Sequence, residues 1–288
     1  MNSKSLLISI LLICFSSFFF SIHDTVLKYI SLGNLKWYHH ITIGGPFGLM
    51  TVIALMFFSG GVKKNIILKS YQVPILRGIL AIANPLMAFI ALKYLSLSIF
   101  TTLILTLPFF LVIFSYFILN EKITKRIIYS LIIGFIGVII ILRPGIEAFN
   151  YYILLPIMMS AISGLNMILV NKFKTVASPY GFVFYNLLIP YLLGLILFLN
   201  EPFFPEFKII ILIGFTWING ILGLLLLTYA YHRSSLFSNK IAPYIYTQLI
   251  WAVIFGYYIY EEFIDFYTFL GSLLIVICGI IVLRVKKN

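Results

Sequence analysis

Long apolar segments, separated by short charged or glycine- and proline-containing breaks, make up nearly the whole chain. A helix needs roughly 20 apolar residues to cross the hydrocarbon layer of a membrane, and most of these segments approach that length. Lipid offers no partner to a free backbone amide, and the alternation typical of a membrane barrel is absent, so helices are expected. The pattern predicts ten helices, over residues 5–29, 37–59, 72–92, 97–119, 126–142, 151–171, 180–199, 208–230, 239–260 and 264–284.

The apolar pattern occurs twice along the chain. Residues 114–121 (FSYFILNE) resemble residues 255–262 (FGYYIYEE), and an arginine follows each glutamate at the same distance, at Arg143 and Arg284. Because five helices per copy is an odd number, the second copy must enter the membrane inverted. Inverted repeats with a binding site between them are a recurrent plan of secondary transporters. We therefore predict an all-α integral membrane fold of two inverted five-helix repeats, covering residues 1–147 and 148–288.

The composition agrees with a membrane protein. The chain is 62% hydrophobic and 10% charged, whereas a soluble domain is typically about 45–50% apolar and about 25% charged. The net charge of +12 does not indicate nucleic-acid binding, because the basic residues lie in short loops rather than on one patch. With the N-terminus inside, fifteen of the 20 Lys and Arg residues fall on the inner side, which favours cytoplasmic termini in a bacterial inner (plasma) membrane.

Several segments of both copies resemble the drug/metabolite transporter superfamily, in particular its EamA-type members. They are Arg77-Gly78, residues 91–97, Pro108, Asn120-Glu121, residues 134–145 and residues 242–252. The resemblance implies ten helices in two inverted halves, transport of a small organic solute, and a cavity lined mainly by helices one, three and four of each half. The chain departs from the family pattern at Glu261, where a glycine is usual, at Leu249, which replaces the proline of the first half, and at His39-His40, where many relatives carry an arginine.

Asp24 and Lys28 are the charged candidates for the site. They lie four residues apart on the first helix, so they share a face and are able to pair. A charge inside the bilayer costs roughly 2.5–3.5 kcal/mol and is normally functional or paired. Counting 1.5 Å per residue from Ser5 places Asp24 about 28 Å along the helix, near the outer interface, which favours snorkelling into the headgroups. The resemblance favours solute or proton binding instead, and His23 adds a group that titrates near neutral pH.

Neutral polar residues within the predicted helices are the other candidates. Asn84-Pro85 interrupts the third helix and Asn219-Gly220 the eighth, and each break either exposes backbone carbonyls to a cavity or forms a kink held by interhelical hydrogen bonds. Tyr246, Trp217 and Trp251 are able to stack on a flat ring or a cation, although aromatic side chains also anchor helix ends at the membrane interface. The predicted substrate ligands are Asp24, Asn84, Asn166, Asn219, Tyr246, Gln248 and Trp251.

The repeated glutamates, Glu121 and Glu262, each end a helix, and the inverted topology places them at opposite membrane faces. They are interpreted either as gate latches to nearby cations or as hairpins solvated by headgroups. The solvated interpretation is favoured, because exposed ion pairs contribute only about 0–1 kcal/mol. The coupling and gating candidates are thus His23, Asp24, Lys28, Glu121 and Glu262.

The sequence contains no metal-ligand spacing, nucleotide-binding loop or nucleophile elbow, so we expect no cofactor, no metal, no catalytic residue and no enzyme activity. The favoured function is a secondary transporter of a small organic metabolite, such as a vitamin or nucleoside-type solute like riboflavin or S-adenosylmethionine. An amino-acid or drug exporter of the same fold, a membrane-embedded lipid-modifying enzyme and a structural subunit remain alternatives. The expected partners are the solute and the lipid bilayer, with the protein a monomer or homodimer.

Overall fold

The computed structural model describes residues 3–68, 70–121, 123–142, 150–234, 241–263 and 265–283, and every regular element within these ranges is a helix. The repeated arginines, Arg143 and Arg284, lie outside the described residues. The first half contains α1 (Ser3–Ser31), α2 (Trp37–Phe58), α3 (Val62–Ile66), α4 (Gln72–Ala81), α5 (Ala83–Tyr94), α6 (Leu97–Ile104), α7 (Leu107–Leu119) and α8 (Lys125–Leu142). The second half contains a 3-10 turn (Tyr151–Ile153), α9 (Leu154–Lys172), α10 (Pro179–Asn200), α11 (Phe207–Ser234), a second 3-10 turn (Ala242–Tyr246), α12 (Thr247–Tyr260) and α13 (Phe266–Leu283).

The predicted number of spans is confirmed. Among the described residues, seven helical stretches are long and apolar enough to cross a membrane, with α4 and α5 forming one stretch and α6 and α7 another. Helix α8, the stretch 242–260 and α13 complete ten spans, numbered 1 to 10 below. The short helix α3 lies in the connection between spans 2 and 3. The main apolar core runs through spans 1, 3, 4, 6, 8 and 9.

Proline explains why spans 3 and 4 are each broken in two. A proline has no N–H, and its ring collides with the carbonyl four residues earlier. Pro85 therefore ends α4 at Ala81, and Pro108 ends α6 at Ile104. Span 9 carries Leu249 instead of proline, yet its backbone also changes at the matching place, where a 3-10 turn precedes α12. The break is thus a feature of both halves.

The helix packing is unchanged when the two halves are exchanged. Span 1 packs against spans 8 and 9, and span 6 packs in the same way against spans 3 and 4. Span 2 packs against span 8, and span 7 packs in the same way against span 3. Equivalent spans also pack against each other, span 2 against span 7 and span 5 against span 10. This symmetry relates the halves by a pseudo-twofold axis, and the odd number of spans per half makes the repeats inverted.

The repeated glutamates follow identical helix ends. Asn120 and Glu261 both adopt the left-handed conformation with φ of 53°. The next residue in each half donates its N–H six residues back, Glu121 to Ser115 at 3.2 Å and Glu262 to Gly256 at 3.0 Å. A left-handed residue at this point is the common way for a helix to end, and glycine is its usual occupant. The sequence repeat is therefore also a backbone repeat, and Glu261 adopts a conformation in which glycine is usual.

Two polar contacts within the described connections join loops at opposite ends of the bundle. Lys36, after span 1, bonds Glu201, after span 7, at 2.5 Å. At the other end, Ser178, before span 7, donates to Asn65, after span 2, at 2.5 Å. The loop after span 1 thus meets the loop after span 7 at one end, and the loop after span 2 meets the loop after span 6 at the other. This is the arrangement expected when ten spans alternate in direction.

Candidate functional site

A cavity of about 250 Å³ lies between the two halves. Its walls come from spans 1, 3 and 4 of the first half and spans 6, 8 and 9 of the second, which are the helices that the family resemblance implied. Helix α10 adds Asn186, Leu187 and Pro190, and α2 adds His40. The volume is close to the lower end of the range for ligand pockets, about 300–1,000 Å³, and the site lies where transporters with inverted repeats hold their solutes.

Asp24 forms the polar centre of this cavity. Only 7% of the residue is exposed, although it lies near the end of a long helix. Its Oδ1 atom lies 2.9 Å from Nδ1 of His23, and its Oδ2 atom accepts a hydrogen bond of 3.0 Å from Nε2 of Gln248. Three predicted residues from spans 1 and 9 thus meet at one point. The snorkelling interpretation of Asp24 is wrong, because counting along a helix gives depth but not which side faces the other helices.

Lys28 does not pair with Asp24 but forms a separate tie one helical turn away. The residue is 8% exposed, and its Nζ atom donates to the Leu95 carbonyl at 3.0 Å and lies 2.5 Å from Oε1 of Glu262. The Glu262 carboxylate also accepts the N–H of Leu97, the first residue of α6, at 2.9 Å. This cluster, called the Lys28 tie below, joins α1, α6 and the end of α12. The solvated interpretation of Glu262 is therefore wrong.

Glu121 occupies the equivalent position in the other half. It follows α7 at the end of the bundle opposite Glu262, and it lies close enough to the buried Tyr231 to interact with it electrostatically. Within the described residues, the cavity wall includes neither glutamate. The two acids are thus elements of the helix ends and do not form one site.

Asn84 and Asn166 line the cavity as predicted residues of spans 3 and 6. The Nδ2 atom of Asn84 donates to Oγ of Ser163 at 3.2 Å. The break at Pro85 thus has both expected properties, since it is held by an interhelical hydrogen bond and also faces the cavity. Asn166 is 3% exposed, and its backbone carbonyl accepts a 3.1 Å hydrogen bond from Nε of Arg77.

Three predicted ligands lie outside the cavity wall. Asn219 bonds the Phe215 carbonyl of its own helix at 2.8 Å, Trp251 packs edge-on against Phe18 at 4.9 Å between ring centroids, and Tyr246 is buried in the apolar core. Successive residues of a helix point about 100° apart, so the neighbour Gly220 faces the cavity instead of Asn219.

Gly220 has a definite role at the site. A Cβ atom there would lie 2.7 Å from Cδ2 of His23. The glycine therefore makes room for the imidazole ring that contacts Asp24. From the sequence, Gly220 was expected to loosen its helix. The helix is not interrupted there, since α11 continues without a break from Phe207 to Ser234.

His40 is a cavity residue that sequence reasoning did not place there, and it meets Trp217, one of the aromatic side chains that the sequence indicated for stacking. His40 is 3% exposed, and its Nε2 atom has no hydrogen-bond partner. Trp217 donates from Nε1 to the His40 carbonyl at 3.1 Å, which fixes the indole. A Cβ atom at Gly44 would overlap this indole. The signal in the sequence was the glycine spacing of α2, where Gly44 and Gly48 share the face that receives Trp217.

Serines from the opposite half satisfy the carbonyls at the broken spans. Ser160 donates to the Ile104 carbonyl at the break of span 4, at 2.8 Å. Ser17 donates to the Ile245 carbonyl in the 3-10 turn of span 9, at 3.4 Å. Ile104 and Ile245 each lie 17 positions before their half's glutamate. These carbonyls are therefore bonded within the protein, and side chains provide the free polar groups of the cavity.

Comparison with known proteins assigns the family. A sequence profile described as the EamA-like transporter family matches residues 7–143 and again residues 150–285. The chain belongs to the EamA-like transporter family. This EamA-type chain is thus an integral membrane protein with a duplicated helical unit. A solved crystal structure with a TM-score of 0.70 at 14% identity, covering 98% of this chain and 96% of its own, has the same fold.

Three relatives show the range of similarity. An uncharacterized transporter of Helicobacter pylori is 30% identical, and the alignment covers 61% of this chain and 61% of the relative. An S-adenosylmethionine uptake transporter of Rickettsia felis is 27% identical over 84% of this chain and 81% of the relative. A pseudopaline exporter, CntI, of Pseudomonas aeruginosa is 24% identical over 97% of each chain.

Proposed function

We propose that this EamA-type protein is a secondary transporter of a small organic metabolite across the inner (plasma) membrane. The observation that carries the proposal is the cavity between two inverted halves, with the buried carboxylate of Asp24 in its wall. A buried acid inside a membrane bundle is normally functional. The proposal includes cytoplasmic termini, halves divided as 1–147 and 148–288, and a monomer or homodimer.

Alternating access follows from the symmetry of the packing. Because the contacts of one half repeat those of the other, rocking the halves opens one end of the cavity while closing the other. The Lys28 tie lies one helical turn beyond Asp24, where α1, α6 and α12 meet. We assign it the role of a gate that separates when this end of the bundle opens, with Glu121 acting at the opposite end.

The substrate class favoured by the comparisons is a nucleoside-type solute such as S-adenosylmethionine. Relatives from four Rickettsia species have uptake of that compound in their names. A vitamin such as riboflavin is the other candidate that we propose. A drug or amino-acid exporter of the same fold is the second candidate function, because the relative with the widest coverage among those described is an exporter.

Transport is tested in liposomes that contain the purified protein. Vesicles are offered labelled S-adenosylmethionine, riboflavin, nucleosides and amino acids, with and without an imposed pH gradient, and protein-free vesicles serve as the control. At least one solute is expected to enter the protein-containing vesicles faster and to exchange with unlabelled solute inside. If none of them moves under either condition, the transporter proposal is refuted.

The topology is tested separately with reporter fusions at the two termini. A reporter that is active only in the cytoplasm should give a signal at both ends, and a periplasmic reporter should give none. A strong periplasmic signal at one end would refute an even number of spans, and at both ends it would invert the proposed orientation.

A further inference from the structure

The charge of the cavity indicates which ligands it accepts. Asp24 is the only Asp, Glu, Lys or Arg among the described residues of the cavity wall. Two buried cations, Lys28 and Arg77, lie outside this wall. Lys28 bonds Glu262 and the Leu95 carbonyl, and Arg77 bonds the carbonyls of Asn166 and Phe182 while its Nη2 atom has no partner among the described residues. The other titratable groups of the described wall are the imidazole of His23, which contacts Asp24 directly, and that of His40 on α2. The described wall therefore has no lysine or arginine to supply a fixed positive charge.

Hydrogen-bond acceptors without donors surround this carboxylate. The side-chain oxygens of Asn84, Asn166 and Asn186 are buried and lack a partner, and all three residues line the cavity. The amide nitrogen of Asn84 is already used by Ser163, which leaves its oxygen free. Buried acceptors without donors are rare in folded proteins because their desolvation is not compensated. A ligand with several N–H groups would supply the missing donors.

The rest of the wall suits the body of such a ligand. Trp217 lines the cavity with its indole fixed by the His40 carbonyl, and the side chains of Phe20 and Phe100 add aromatic surface. An aromatic face attracts an organic cation and also stacks on a flat ring. A small inorganic cation would leave this surface unused.

We infer that the cavity selects a compact organic cation with several N–H donors, for which Asp24 is the counter-ion. The inference rests on the proposed function in so far as the ligand is the transported solute. It favours S-adenosylmethionine over the uncharged riboflavin, because the sulfonium and ammonium groups of S-adenosylmethionine outweigh its carboxylate and give it a net positive charge. It also excludes solutes with a net negative charge, because the wall has no fixed cation to receive them.

Equilibrium binding to the purified protein tests the inference, with two pairs of probes that differ chiefly in charge. The first pair is S-adenosylmethionine and S-adenosylhomocysteine, which lacks the methyl group and the sulfonium charge. The second pair is tyramine and 4-ethylphenol. The cationic member of at least one pair should bind at least about tenfold more tightly, because loss of one partner of a buried charge pair typically weakens binding by this much or more.

Variants assign the preference to the cavity. Asp24→Asn should remove the preference for the cation, whereas Glu206→Gln, the same chemical change at an exposed residue, should retain it. Asn186→Asp adds a second carboxylate to the wall without changing its size and should increase the preference, which provides a test if Asp24→Asn fails to fold.

The outcomes that overturn the inference are distinct from those that overturn transport. Cation selection would be refuted by any of three results: equal binding of the charged and neutral probes in both pairs, no binding of any of the four probes, or an unchanged preference for the cation in Asp24→Asn. If the preference is found and no solute moves in liposomes, selection stands and the transport proposal fails. If only neutral or anionic solutes are transported, the transport proposal stands and cation selection fails.

Discussion

The Lys28 tie and the Lys36–Glu201 pair provide a direct comparison of a buried and an exposed ion pair. Both have an N–O distance of 2.5 Å, but the side chains of Lys28 and Glu262 are 10% and 16% exposed, whereas those of Lys36 and Glu201 are 51% and 57% exposed. Removing one partner of a buried pair typically costs 3–5 kcal/mol. Because Glu262 keeps its hydrogen bonds from the Leu97 N–H, we expect Lys28→Met to cost about 3 kcal/mol.

A double-mutant cycle measures this coupling. Lys28→Met, Glu262→Gln and the double variant are unfolded with SDS in mixed micelles, and the free energies of unfolding are compared. The double variant should be more stable than the sum of the single changes predicts, by at least about 1.5 kcal/mol, because it leaves no unpaired buried charge. The equivalent cycle at Lys36 and Glu201 is the matched control, and its coupling energy should be too small to measure.

Additive effects at Lys28 and Glu262 would refute the reasoning, since burial would then not distinguish the two pairs. The transport assay gives a second readout. If the tie is a gate, Lys28→Met should alter the ratio of exchange to net uptake, whereas Lys36→Met should leave that ratio unchanged. A change of stability without any change of this ratio would make the tie purely structural.

The exposed pair should also show a pH dependence of known sign. Hydrogen bonds from Lys36 and then Tyr38 lower the pKa of the Glu201 carboxyl below its ordinary value of 4.5. A lowered pKa in the folded protein means that the stabilisation is present above the unfolded value and is lost as pH falls through the folded value. Any effect of Glu201→Gln on stability should therefore vanish in acid, which unfolding measured from pH 7 to pH 3 would check.

Two further substitutions test local geometry. Glu261→Gly should stabilise the protein by about 1 kcal/mol, because a left-handed residue with a side chain is strained. Asn120→Gly should stabilise it less, because asparagine tolerates this conformation. Equal unfolding free energies for the two variants would contradict this explanation. Gly44→Ala should displace the Trp217 indole, which would shift the tryptophan fluorescence and weaken solute binding. Gly33→Ala is the control, because the nearest atom to an added Cβ there is 3.4 Å away, and it should change neither the fluorescence nor the binding. Unchanged fluorescence in Gly44→Ala would show that the indole is not held by the glycine.

Apolar periodicity was sufficient to predict the fold, because lipid allows few solutions. The predicted span 37–59 agrees with the observed α2, Trp37–Phe58, to one residue. The kink at Pro85 was also predictable, since a missing N–H has a local effect. The 3-10 turn at Ala242–Tyr246 was not, because its Pro243 lies in the first turn, where a regular helix also tolerates proline, and Leu249 stands in place of the proline that breaks span 4.

The site was only partly predictable, because sequence gives neither the rotation of a helix nor its partners. Asp24 and Gln248 were identified as residues of unusual polarity, but their contact requires spans 1 and 9 to be adjacent, which is a tertiary fact. The choice between Asn219 and Gly220 depended on one step of helical rotation. His40 was undervalued because a histidine near a helix start resembles an interfacial residue, while its burial depends on Trp217.

Fusion of the two halves into one chain has a consequence for how a solute is oriented. In a true homodimer, each residue that faces the central axis appears twice, so a solute has two equivalent orientations. Here the cavity has a carboxylate on the first helix of one half and an uncharged asparagine, Asn166, on the first helix of the other. The two ends of the chamber are thus chemically different despite their similar scaffolds. A solute with one charged end therefore has a single preferred orientation in the cavity. A fused chain whose halves differ in sequence is thus able to recognise a solute that has no symmetry of its own.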